Sequence, residues 1–128
     1  MPRVPHISTL IARPWREVYD YAADPANLPH WAAGLSSSAL VEGEDGWWSA
    51  SSPMGTVGVR FCARNDFGVL DHVVRLPDGT EVLNPMRVLP WDDAAEVVFS
   101  LRAREGVDTD ADAAAVAADL ETLRRRLE

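Results

Sequence analysis

The sequence predicts an α+β fold in which a curved antiparallel β-sheet of about seven strands wraps around a long C-terminal α-helix, with two short helices after the first strand. Three observations lead there. The N-terminal region reads strand, helix, helix. Positions 38–103 read as short β-forming runs separated by turn residues, at the spacing of an antiparallel meander. Positions 108–127 form one amphipathic helix, the only long apolar face available to cover the sheet.

Val4 to Ile11 alternates and is rich in β-branched residues, so it reads as the first strand, ended before Pro14. Pro14 suits the first position of a helix. Trp15, Val18, Tyr19 and Ala22 then fall at the three-and-four spacing of a buried stripe. Asp24-Pro25 closes that helix. Asn27 is placed to cap a second short one, which carries Leu28 and Trp31 on one face and has Gly34 positioned to end it.

In the meander, turns are expected at Gly43-Glu44-Asp45-Gly46, Ser52-Pro53-Met54-Gly55, Asn65-Asp66-Phe67-Gly68, Pro77-Asp78-Gly79 and Trp91-Asp92-Asp93. Six strands fit between and around them. The terminal helix aligns Ala113, Val116, Ala117, Leu120, Leu123 and Leu127 on one face. Asp108, Asp110 and Asp112 at its start and Arg124, Arg125 and Arg126 at its end complement the helix dipole. Its alanines suit either close packing on the sheet or a wall that leaves room for a ligand.

The chain has 128 residues, the size of one domain, so a single domain spanning 1–128 is expected. No apolar run has the length of a membrane span, and the N-terminus lacks the apolar core of a secretory signal, so a cytoplasmic protein is the expectation. The formal net charge of −8 disfavours nucleic acid as a partner. All the basic residues are Arg, a mark of a GC-rich genome. The single cysteine, Cys62, forms no intramolecular disulfide, and as a surface residue between two arginines it is assigned no chemistry.

Neither a cofactor nor a metal is expected. Gly55-Thr56-Val57-Gly58 precedes a strand and so lacks the helix N-terminus that phosphate loops use. Asp108, Asp110, Asp112 and Asp119 match four positions of a calcium loop, but Ala113 stands where that loop needs glycine. His6, His30 and His72 have no close ligand spacing. No Gly-x-Ser-x-Gly elbow is present to suggest a serine hydrolase.

Strand alternation sorts side chains between the two faces. Val57, Val59 and Phe61 turn inward, with Arg60, Cys62 and Arg64 outward. Leu70, His72, Val74 and Leu76 turn inward, with Asp71 and Arg75 toward solvent. Val82, Asn84, Met86 and Val88 form a third inward set, although Pro85 marks an edge or bulge at which the register could shift. Val97, Phe99 and Leu101 form the fourth. Of Trp47 and Trp48 only one can face in, and Ser49 and Ser51 on the side of Trp47 favour Trp48. An apolar pocket follows, lined by Phe61, Met86 and Phe99, with His72 and Asn84 as the polar groups and Trp31, Trp48 and Phe67 as an aromatic wall or lid. His72 is either a core histidine bonded to a backbone carbonyl or a ligand contact and proton carrier. Asn84 is either structural at the Pro85 bend or a site residue.

The run Ile11-Ala12-Arg13-Pro14, with Val18-Tyr19, Asp24-Pro25, Leu28 and Trp31, resembles the opening of the SRPBCC or START-like superfamily. Asn65 to His72, Asn84 to Val88 and Glu96 to Phe99 resemble a bacterial subgroup of it, while Trp91 to Ala95 departs from the Asn/Gly-rich turn expected there. The resemblance implies a helix-grip fold over the whole chain and, as function, binding of an apolar or aromatic, lipid- or polyketide-like molecule between sheet and terminal helix. Two other functions found in that superfamily stand beside it. One is a cyclase or dehydratase using His72 for proton transfer. The other is a protein-interaction module of the Hsp90-activator kind, for which no large apolar stripe is evident.

Overall fold

The computed structural model describes residues 4–33, 35, 36 and 38–128. Strand β1 (His6–Ile11) leads into α1 (Trp15–Ala22), a 3-10 turn at Pro25–Asn27, and α2 (Leu28–Trp31). Seven strands follow: β2 (Val41–Glu42), β3 (Trp48–Ser52), β4 (Gly55–Phe61), β5 (His72–Arg75), β6 (Glu81–Asn84), β7 (Met86–Trp91) and β8 (Ala94–Ser100). Helix α3 (Thr109–Leu127) closes the chain. No described helix is long and apolar enough to cross a membrane.

The stripe on α1 is buried at Val18, Tyr19 and Ala22. The helix begins one residue later than expected, with the Pro14 carbonyl accepting the Val18 N–H at 3.2 Å. Asn27 does not cap α2 with its side chain. It reaches back instead, its Nδ2 donating to the Tyr21 carbonyl at 3.0 Å. The capping carboxylate in this stretch is Asp24, which accepts from the Ala26 N–H at 3.0 Å. Gly34, the expected end of α2, lies outside the described residues.

The strands pair as β1-β8-β7 and as β2-β3-β4-β5-β6, all antiparallel. The meander holds seven strands where six were expected, because Pro85 splits one run into β6 and β7. Pro85 has no N–H to give to a ladder. The register survives the break: His72 pairs with Asn84 on one side of it and Val69 bridges Arg87 on the other, which leaves Asp71 opposite Pro85. The chain from Gly68 to Arg75 is thus one ladder that joins the two sheets into a single bent surface.

A close approach fixes the start of this ladder. The Val88 N–H donates to the Gly68 carbonyl at 2.8 Å. Gly68 has φ +72°, and a Cβ there would sit 2.1 Å from the Val88 oxygen, so only glycine fits. On the convex side Trp47 lies over Gly58, with the Arg75 and Arg60 guanidinium groups 3.9 and 4.7 Å from its ring. Trp47 therefore faces out and Trp48, paired with the buried Val59, faces in.

Helix α3 starts at the Asp108 cap, whose carboxylate accepts from the Asp110 and Ala111 N–H groups at 3.0 and 3.1 Å. Its fully buried residues are Leu120 and Leu123, both toward the C-terminal end. Ala117, expected on the covered face, is exposed. The end of α3 is pinned to the β1–α1 turn. The Arg13 Nε donates to the Leu127 carbonyl at 2.7 Å, and the Glu128 carboxylate accepts the Ala12 N–H at 2.9 Å.

Candidate functional site

Between the concave face of the sheet and the N-terminal half of α3 lies an open cavity of about 180 Å³. An engineered apolar cavity of roughly 150 Å³ admits benzene, so the space suits one substituted ring. Of the residues expected at a site, Trp31, Phe61, His72, Asn84, Met86 and Phe99 line it. They come from α2 and five different strands, and alternation brings them together. Phe61, His72 and Asn84 are direct cross-strand neighbours on β4, β5 and β6, and Met86 and Phe99 are neighbours on β7 and β8. Asn84 and Met86 both face the cavity, so the bend at Pro85 leaves the inward set in phase.

Trp48 and Phe67 do not line this cavity. Trp48 is half-buried on the inner face, paired with Val59. Phe67 is 82% exposed and sits over a separate shallow depression with Trp15, Asp66 and Pro90. Asn65 explains this placement. Its Oδ1 accepts from the Phe67 and Val69 N–H groups at 3.0 and 3.1 Å, curling the backbone into a tight turn that throws the Phe67 ring outward.

His72 is the buried polar group of the wall, 6% exposed. Its ring centroid lies 5.1 Å from that of Phe61 and 6.2 Å from that of Phe99. Nδ1 is 2.9 Å from the Leu70 carbonyl. A carbonyl only accepts, so Nδ1 carries the hydrogen. Burial among these apolar groups lowers the imidazole pKa from its ordinary value, against smaller opposing effects of the Leu70 carbonyl and Asp71. The ring is consequently neutral at pH 7, with Nε2 a bare acceptor for which no protein donor exists among the described residues.

The Leu70 contact also completes the hydrogen bonding at the bend. Leu70 and Met86 face each other, and the Leu70 N–H donates to the Met86 carbonyl at 2.9 Å. The return bond is replaced by two side chains: His72 takes the Leu70 carbonyl, and the Asp71 carboxylate accepts the Met86 N–H at 2.9 Å. Asp71 also pairs with Arg87. The carboxylate lies on the side of the sheet away from His72, as alternation requires, but it is only 25% exposed and holds the strand, where the sequence reading left it idle in solvent.

Opposite the sheet, Ala115, Val116 and Leu120 of α3 form the roof of the cavity. The Trp31 Nε1–H is buried and has no hydrogen-bond partner among the described residues. The solvent side of the cavity carries charges that sequence reasoning missed: Arg102 and Arg104 after β8, with Asp112 and Asp119 on α3. Arg104 and Asp112 approach to 3.9 Å. Two positive and two negative groups leave this rim balanced. The presence of arginines just past a strand end and of aspartates two helical turns apart was visible in the sequence, but their convergence depends on how α3 docks. Cys62 does not line the cavity, and its thiol pKa is raised by partial burial and by Asp71, which removes any case for an activated thiolate. Among the described residues no group of three or more His, Cys, Asp or Glu is placed to hold a metal.

No protein-family model matches the chain, and no curated protein matches it. Solved structures do. XoxI from Bacillus cereus superimposes with a TM-score of 0.76 at 14% identity, over 98% of this chain and 96% of that one. The Zhui aromatase/cyclase from Streptomyces sp. R1128 superimposes with a TM-score of 0.70 at 14% identity, over 98% of this chain and 93% of that one. The chain has the helix-grip fold. DynU16, a protein of the dynemicin biosynthetic locus, matches with a TM-score of 0.70 at 16% identity, and this chain covers 99% of itself but 48% of DynU16. At such identities the likeness is one of fold, and the helix-grip architecture accounts for where the cavity sits: between the gripped helix and the sheet that bends around it.

Proposed function

We propose that this protein binds a small apolar molecule in the cavity between the sheet and α3. The observation that carries the reading is the composition of the wall. Phe61, Val74, Met86, Phe99 and Leu120 enclose a space of about 180 Å³, and one neutral imidazole is set among them with a free ring nitrogen. Small-molecule sites combine this kind of apolar enclosure with few orienting polar groups. The aromatase/cyclase among the fold neighbours supports a ring-bearing ligand by analogy.

A second reading, proton transfer by His72 in a cyclase or dehydratase, is favoured by the same bare Nε2, because a neutral imidazole is a competent base at pH 7. Asp71 is not its partner: the carboxylate is committed to Met86 and Arg87.

Native mass spectrometry of protein purified from its own host tests both. A retained small molecule that is displaced on filling the cavity by Val116→Trp supports the binding reading, and conversion of that molecule by the wild-type protein, lost in His72→Phe, supports the enzymatic one. Protein that stays ligand-free in its host and shows no melting shift with ring-sized apolar compounds would overturn the proposal.

A further inference from the structure

The cavity wall carries one buried imidazole whose hydrogen-bonding sense is fixed, and it specifies the ligand more closely than apolarity does. Resting on the binding reading above, we propose that the ligand is a neutral, single-ring molecule with a hydroxyl group that donates to His72 Nε2.

The hydroxyl follows from the neighbour of His72. Nδ1 faces the Leu70 carbonyl at 2.9 Å and must hold the hydrogen, so Nε2 presents a lone pair. A lone pair in an apolar wall is satisfied by a donor, and a hydroxyl is the neutral donor an aromatic ring commonly carries. A carboxylate brings only lone pairs and would meet Nε2 with repulsion.

Size and charge narrow the class from the other side. The cavity exceeds the roughly 150 Å³ that admits benzene by little, which suits one ring with short substituents and excludes full enclosure of a long acyl chain. Arg102 and Arg104 are matched by Asp112 and Asp119 at the solvent side, so no net charge at the rim recruits an anion or a cation.

The test is calorimetric titration with three compounds of one shape: 4-ethylphenol, ethylbenzene and 4-ethylbenzoate. The expected order places 4-ethylphenol first, at least tenfold tighter than ethylbenzene, with 4-ethylbenzoate last. In His72→Phe the advantage of 4-ethylphenol over ethylbenzene should vanish while ethylbenzene binding persists. Equal binding of the two neutral compounds, or tightest binding of 4-ethylbenzoate, would overturn this inference while leaving the cavity a binding site. Failure of every compound to bind would overturn the binding reading itself. Should His72→Phe not fold, the order measured on the wild-type protein decides alone.

Discussion

The two ring nitrogens of His72 meet different surroundings. Nδ1–H closes the hydrogen bonding of Leu70 at the Pro85 bend, and Nε2 is left to the cavity. The sequence posed these as rivals, a core histidine bonded to a carbonyl or a ligand contact, and one ring can serve both because its nitrogens point in different directions. The neutral state of the ring makes stability depend on pH. Burial lowers the folded-state pKa below the ordinary 6.5, so the unfolded chain takes up the proton more readily than the folded one. The stability this group contributes is therefore complete above about pH 6.5 and is lost as pH falls through that value toward the folded-state pKa. Glu121 does not interfere in this window, since the Arg124 guanidinium holds its carboxyl down to about 2. Thermal melts between pH 7.5 and 5.5 should show a decline in the wild-type protein that is clearly shallower in His72→Phe. Parallel declines would show that the imidazole is not the titrating group.

At the scale of elements, the hairpin from Gly68 to Val88 shows what a local pattern carries. Alternation assigned Leu70, His72 and Val74 to the inner face, and all three are buried, because side-chain period in a strand is a property of two neighbouring residues. It also carried Asn84 and Met86 inward across Pro85. Phe67 was not legible in this way. Its direction depends on the Asn65 side chain bonding both the Phe67 and Val69 N–H groups, a turn geometry that residue type alone leaves open. The glycine next to it is constrained by a partner 20 positions away: at φ +72° its α-carbon faces the Val88 oxygen. Gly68→Ala should combine backbone strain with a 2.1 Å clash, which the β7 strand can relieve only by moving away. A loss of about 2 kcal/mol or more in denaturant unfolding is expected. A near-neutral result would mean that the Gly68–Val88 approach does not hold the two sheets together.

Over the whole molecule the two halves of α3 perform different jobs, and this was the least legible feature. The apolar period along the helix is continuous from Ala113 to Leu127, and nothing in it distinguishes a residue pressed on the sheet from one spanning a void. The distinction arises from where the helix is tied. Its C-terminal end is hydrogen-bonded to Ala12 and Arg13, and Leu123 is fully buried there beside β1. Its N-terminal half stands off the bent sheet, held at the rim by the Arg104–Asp112 pair, so that Ala115 and Val116 face open space. Rim pairs this exposed contribute little to stability. Substitutions in the two halves should therefore separate stability from binding. Leu123→Ala removes packing from a site without room to collapse and should cost about 2–5 kcal/mol, with affinity for ring compounds retained in whatever fraction stays folded. Val116→Trp places its ring in the cavity, where there is volume to receive it, and should leave the melting temperature unchanged or raised while abolishing the binding of ethylbenzene and 4-ethylphenol alike. If Val116→Trp instead destabilised the fold as strongly as Leu123→Ala, the roof of the cavity would be packed against the sheet in solution, and the space beneath α3 would not be available to a ligand.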